Sequence, residues 1–443
     1  MISICKNSII KTINDYLFYY RKIFNKHSFE IFNLLILGIL AVEEVRSIKY
    51  IYDNFISKYF SKALNSFYYF LSYSNFSIDA ITTYTIKIAL SLMPEEIKEH
   101  MTIFLTIDDT LQKKFGKKFD CRFHLFDHSN KTGSSYLDGH CFVSLVVNIP
   151  LLHDGNIIRY LSLPVGYRLY DKEKSKLKIA AELIDLSMKE LNNIQTILLC
   201  DSWYPKSEVI DAVKKYKNLD IIAAVRSDTA MYELPPAPTG KKGRPKKHGD
   251  KLDYRMFDYE KEGNFYIATK KVITNLFDYA INVMITATET TVFDSVRVYI
   301  STIDGSDINI FKKYDVAEVD SKPNKIHLLP LCVYNFRWNI EVIFYEQKFF
   351  WSFGKYMVRS KAAIERYINL LAVAFTFVNV LPFISTNFSE YKFKSPQVIK
   401  HSISAQLNQE LILSTFVKRL ENSKIYSAVK NAVLNFLESN GAA

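Results

Sequence analysis

TIFLTIDDT, residues 102–110, sets a β-branched and aromatic run against two consecutive aspartates. With no glycine or proline inside it, Thr102–Ile107 predicts a short strand ending in Asp108-Asp109-Thr110. A second stretch repeats the plan: Thr196–Cys200 is an apolar, buried-type strand followed at once by Asp201. Between them lie two more predicted strands, Cys141–Ile149 and Ile157–Val165, separated by the turn residues His153-Asp154-Gly155-Asn156. Lys176–Leu191 follows with helical spacing through Leu177, Ala180, Ile184, Met188 and Leu191. After Asp201, Pro205 sits in the first turn of a predicted helix, and Asp220–Val225 is another apolar strand.

Three strands that can form a meander, then helix, strand, helix, strand, is the pattern of an RNase H-like α/β core. Its first part is taken as 99–225. Residues 1–98 read as helical, with apolar positions recurring at three and four residue steps through Ile31–Ser47, Ile56–Leu71 and Ile78–Leu92. That region has room for a DNA-binding unit, although no recognition-helix motif stands out. Pro235-Pro236-Ala237-Pro238 breaks the core pattern, and alternating runs at Gly263–Val272, Tyr279–Thr286 and Ser295–Thr302 follow. Residues 226–325 are therefore expected to be a β-rich insertion carrying a basic loop. The second part of the core, 326–385, is helical, and 386–443 forms a helical C-terminal region whose amphipathic stretch 404–438 suits dimerisation or packing. The fold class is α/β: an RNase H-like core interrupted by a β-rich insertion, with helical ends.

Hydrophobic residues make up 49% of the chain and charged residues 23%, so large cores can form and disorder is not the default. The net charge of +11 favours a polyanionic partner. Five scattered cysteines offer neither a disulfide framework nor a Cys-x-x-Cys metal site, which fits a reducing compartment. Charges interrupt every apolar run near the N-terminus, so no secretory signal is expected. Ile31–Val42 is too short to span a membrane, and Ile368–Ile384, with Asn369, Thr376, Asn379 and Pro382, reads as a buried helix. The expected location is the cytoplasm.

The segment 334–348, YNFRWNIEVIFYEQK, carries the third acidic candidate. On a helix, Tyr334, Arg337, Glu341 and Lys348 fall within one sector of about 60°, with Trp338 on the same side and Glu346 pointing elsewhere. An intrahelical ion pair between Arg337 and Glu341, four residues apart, explains the face equally well from geometry alone. The aspartates upstream decide between these readings, because open α/β sheets place ligand sites at C-terminal strand ends. Two aspartates and Glu341 brought there would make an oxygen-only site suited to Mg²⁺ or Mn²⁺. Two such ions can activate a water or 3′-hydroxyl and stabilise the leaving oxygen of a phosphodiester. Arg and Lys on the same face suit phosphates, and Tyr or Trp suits an unpaired base.

At these residues the sequence resembles bacterial insertion-sequence transposases of the insertion-sequence-four type. Tyr334-x2-Arg337-x3-Glu341-x6-Lys348 is similar to the Y-R-E-K signature of that family, and Arg337-Trp338-x-Ile340-Glu341 is a familiar form of it. Ile107-Asp108-Asp109-Thr110 resembles its first acidic motif and Leu198-Leu199-Cys200-Asp201 its second, while Phe353–Phe375 is similar to its helical extension. The resemblance spans about residues 100–380. It implies a DDE enzyme with catalytic, metal-binding Asp109, Asp201 and Glu341. It implies DNA contacts from Tyr334, Arg337 and Lys348, and cut-and-paste transposition through nicking, hairpin excision and strand transfer. Alternation puts Asp108 and Asp109 on opposite faces of a strand, so only one can be the ligand; the family's Asp-Thr pairing favours Asp109. Ser202-Trp203-Tyr204 departs from the Arg-Glu pair that follows the second aspartate in many relatives.

Two further signals lie outside these motifs. Six of the eleven residues 241–251 are Lys or Arg, and Gly243-Arg244-Pro245-Lys246-Lys247 has the character of a minor-groove hook, so Arg244, Lys246 and Lys247 are DNA-binding candidates beside a reading as solvated loop. His124, Asp127, His128 and His140 cluster in sequence but match no zinc spacing. The expected partners are double-stranded DNA, as element ends and target, and a second copy of the chain in the DNA complex. No membrane and no small-molecule cofactor is expected. The alternatives are an RNase H-fold nuclease without strand transfer and a transposase-derived DNA-binding protein.

Overall fold

The protein is described from a computed structural model covering residues 8–127, 135–153, 157–237, 246–290, 293, 295–310, 315–316, 325–420 and 426–440. Its strands are β1 (Ile103–Lys113), β2 (Phe123–Phe126), β3 (Tyr136–His153), β4 (Ile157–Leu169), β5 (Thr196–Cys200) and β6 (Leu219–Val225). They continue as β7 (Met231–Tyr232), β8 (Glu260–Glu262), β9 (Phe265–Thr274), β10 (Ile281–Ala287), β11 (Arg297–Ser301) and β12 (Asp315–Val316). The sheet order is β12-β4-β3-β1-β5-β6-β11-β10-β9-β7, with β2 on β3 and β8 on β9.

The centre, β4-β3-β1-β5-β6, has the order expected of an RNase H-like core. β3 runs antiparallel to both of its neighbours, β1 and β4, and β5 and β6 run parallel to β1. Burial on both faces explains the near-continuous apolar runs here: Ile103, Phe104, Leu105 and Ile107 of β1, and all of β5, are buried. Helices Lys176–Met188 and Ser207–Lys214 link the parallel strands. Helix Trp338–Phe349 lies on the other face, where the Phe104 and Phe336 rings stack at 4.9 Å and Asn339 donates to Asn148 and Ser162.

Three local features differ from the sequence expectation. β1 does not stop at Ile107. Its parallel ladder to β5 ends at Ile107↔Cys200, but its antiparallel ladder to β3 continues to Lys113↔Gly139, so the aspartates sit inside a strand with one edge freed. Tyr334–Arg337 is a 3₁₀ turn preceding the α-helix, so the 100° spacing applies only from Trp338 onward. Within 226–325, β11 pairs antiparallel with β6, Val298 opposite Val225, so these strands extend the core sheet.

The helical ends share the core. Tyr16 packs on Phe377 at 4.9 Å, and Glu410 accepts from Ser8 and the Ile9 amide at the start of the first helix, a favourable place for a carboxylate. Helix Lys361–Ile384 is long and apolar enough to cross a membrane, yet it is buried in the fold. Asn369 pairs with both backbone groups of Tyr167, and Thr376 donates to the Pro164 carbonyl.

His140 lies on β3 beneath the turn that follows β1. It is fully buried, with Nε2 donating to the Asp120 carbonyl and Nδ1 accepting from the Tyr356 hydroxyl. Burial lowers its pKa to about 4, the Asp120 carbonyl opposing and Lys114 and Arg122 adding to the shift. The folded state therefore binds fewer protons than the unfolded chain between about pH 6.5 and 4, and stability falls as pH drops through that window, by about 3 kcal/mol in all. Melting temperatures at pH 7 and 5 should show this loss in the wild type and a smaller one in His140→Gln. Equal slopes would remove His140 as the cause.

Candidate active site

Register decides which acids meet. The last parallel pair is Ile107↔Cys200, so the next residues, Asp108 and Asp201, emerge beside each other where the ladder ends. Even-numbered β1 residues face the glutamate helix, as Phe104 shows against Phe336 and Thr106 through Asn148 and Asn339. Asp108 follows that alternation. The Arg337 guanidinium spans the gap, with Nη2 2.8 Å from Glu341 Oε1 and Nη1 3.5 Å from Asp108 Oδ2. The intrahelical pair anticipated from the spacing thus exists and also reaches an aspartate. Burial, then the charges of Asp201 and Asp109, push the Asp108 carboxyl up to about 8. Burial also raises Asp201, against a hydrogen bond from the Trp203 amide and the charge of Arg337.

Asp109 faces the other way. Lys176 Nζ lies 2.9 and 3.0 Å from its two oxygens, the Tyr204 hydroxyl donates at 3.0 Å and Cys141 Sγ at 3.2 Å. Four contacts occupy the roughly four lone-pair sites of a carboxylate. For Lys176, burial works against the charge, but Asp109 outweighs it and the pKa is raised. The Asp-Thr pairing favoured Asp109 as the acid beside Glu341; in the structure the side chain on that face is Asp108, and Asp109 is engaged by Lys176.

Tyr334 donates to the Cys200 carbonyl at 3.2 Å, next to Asp201. Trp338 is exposed beside Arg337, whose guanidinium lies 5.7 Å from the ring centroid. Lys348 is half-buried, without an ion pair among the described residues; burial lowers its pKa, with Asp127 opposing. Glu346 lines a separate cavity of 590 Å³ with Arg159, Asn339 and Lys394, and burial raises its pKa to about 7. Arg244 and His128 lie outside the described residues. Lys246 and Lys247 are exposed, and the adjacent His248 stacks on Tyr232 of β7. That strand is six positions from β1, roughly 29 Å at normal strand spacing, so these lysines are not gathered at the carboxylates.

Sequence reasoning missed Lys176 and Tyr204. Lys176 is one of several lysines in Lys172–Lys178, and only the fold reveals which of them reaches an aspartate. Tyr204 lay within the departure noted after Asp201. Trp203 between them has the ammonium groups of Lys176 and Lys206 at 4.3 and 4.6 Å from its ring centroid, a cation–π cluster on the rim of the site.

No three His, Cys, Asp or Glu side chains stand ready as a metal cage among the described residues. The donor chemistry still fits a hard divalent cation. Asp108 and Asp201 are half-buried and interact, each offering carboxylate oxygens, with Arg337 and, for Asp201, Lys176 partly offsetting their charge.

Residues 20–262 match the family described as DDE superfamily endonuclease, and residues 156–377 match the family described as Transposase DDE domain. No curated protein matches the chain. The two matches overlap across β4, β5 and Asp201 and between them take in both aspartate strands and the glutamate helix. The chain belongs to the DDE superfamily of endonucleases and transposases, enzymes that cleave nucleic acid.

Proposed function

We propose that this protein is a cut-and-paste DNA transposase of the insertion-sequence-four type, which cleaves at element ends and joins those ends to target DNA. The observation that supports this most is the meeting of Asp108 and Asp201 at the end of the β1–β5 ladder, with Glu341 held to the same face by Arg337. In this reading Asp108, Asp201 and Glu341 hold Mg²⁺ or Mn²⁺, two ions in the loaded site. When bound, these supply activation of the attacking oxygen and stabilisation of the leaving one. Asp109 does not ligate; with Lys176 it fixes the backbone from which Asp108 projects.

The remaining residues hold DNA. Arg337 orients Glu341 and offers its free edge to a phosphate. Lys348, free of an ion pair among the described residues, keeps its ammonium for a second phosphate. Trp338 stacks on a distorted base, and the Tyr334 hydroxyl lies beside the strand carrying Asp201. Arg244, Lys246 and Lys247 contact flanking duplex away from the cut. The complex with DNA is a homodimer.

Purified protein incubated with end-bearing DNA and Mg²⁺ should give both cleaved and joined products. The ends are the imperfect inverted repeats expected beside the gene. Cleavage without joining would identify a nuclease, and an inert but DNA-binding protein would identify a transposase derivative.

A further inference from the structure

Beyond its aspartates β1 runs into Lys113-Lys114-Phe115-Gly116-Lys117-Lys118, which the proposed chemistry does not use. Lys113, Lys117 and Lys118 are exposed and form no ion pair among the described residues. Phe115 is 83% exposed, with the Lys113 ammonium 5.1 Å from its ring centroid. An aromatic ring held in water among unneutralised ammonium groups gives nothing to the core.

The turn is nevertheless firmly built. Lys114 is buried, donates to the carbonyls of Gly354 and Tyr356 at 2.6 and 2.8 Å, and lies 3.4 Å from the Tyr356 ring centroid. Its amide donates to Asp138 and its carbonyl accepts from Arg122. Gly116 makes room for Phe119, because a Cβ there would stand 2.7 Å from that ring. These contacts pin the turn to the segment that follows the glutamate helix, so its position relative to the carboxylates is fixed from both sides.

We propose that residues 113–118 grip DNA beside the cut: Lys113, Lys117 and Lys118 on phosphates, and Phe115 against an unstacked base. Lys113, where the turn begins, lies five residues beyond Asp108 on the same strand, roughly 17 Å, which places the contact about half a helical turn of duplex from the chemistry. Ammonium groups tracking a backbone, with an aromatic ring for a base, are the two parts of a stacking platform. This surface is distinct from the loop 241–251 and rests on the reading of the protein as a DNA-cleaving enzyme.

The test uses the full chain and a fluorescent duplex carrying an element end, with affinity measured by anisotropy across a salt series and a melting curve for each variant. Lys113→Ala/Lys117→Ala/Lys118→Ala should lower the slope of log affinity against log salt by about two to three, without a change in melting. Lys117→Gln alone, expected to lower it by about one, decides the matter if the triple variant fails to fold. Phe115→Ala should weaken binding about tenfold. Phe115→Trp should retain affinity, and its added fluorescence should be quenched by DNA. Wild-type slope in the lysine variants together with wild-type affinity in Phe115→Ala would overturn the proposal while leaving the enzyme reading intact. A wild-type protein that binds no duplex would overturn both.

Discussion

Asp201→Asn and Glu341→Gln should each reduce single-turnover cleavage of end-bearing DNA by roughly a thousandfold or more, as removal of one member of a group that acts as a unit does. Neither variant should melt much earlier. Asp201 is a carboxyl raised by burial, so neutralising it relieves a folded-state penalty and can stabilise the protein, the usual exchange of stability for function at a site. Glu341 is partly exposed and paired with Arg337, an interaction worth at most about 1 kcal/mol at such a position. Glu346→Gln is the control on the same helix. Glu346 faces a different cavity, and its substitution should leave cleavage near wild type. An inactive Glu346→Gln beside an active Glu341→Gln would reverse the assignment of the helix face.

The second large effect is on stability. Asp109 and Lys176 form a mostly buried pair, with 15% and 25% of their side chains exposed. Removing one partner leaves the other charge uncompensated in low dielectric, so Asp109→Asn and Lys176→Met should each destabilise by about 3 kcal/mol. The double variant should lose less than the sum, with a coupling of at least about 1 kcal/mol. Denaturant unfolding of the four proteins measures this directly. Additive losses below about 0.5 kcal/mol would show that the pair holds nothing together.

Much of this arrangement is legible in the residues. Thr196–Cys200 is an uninterrupted apolar strand because both its faces are covered, and Asp201 follows because the strand emerges there at the sheet's open end. The charged positions Arg337, Glu341 and Lys348 are legible in the segment too, although the exposed side of the folded helix is largely apolar, with Trp338, Val342, Tyr345 and Phe349. What periodicity could not settle was the face of β1 on which that helix packs. A period of two separates Asp108 from Asp109 but assigns neither, since the choice depends on the register with β5 and on Phe336 meeting Phe104, both tertiary facts. The continuation of β1 to Lys113 was hidden because Gln112 and Lys113 look like loop residues, and only pairing to a long β3 keeps them extended. For the same reason β11 gives no sign in sequence that its partner is β6.

The most direct test is single-turnover cleavage of end-bearing DNA by Asp108→Asn and Asp109→Asn, each at a temperature where its melting curve shows it folded. Asp108→Asn should be inactive and at least as stable as the wild type, because burial and the charges of Asp201 and Asp109 disfavour its ionised form. Asp109→Asn should be less stable yet retain measurable cleavage. A folded but inactive Asp109→Asn, alongside an active Asp108→Asn, would contradict the assignment of the first carboxylate and with it the site built here.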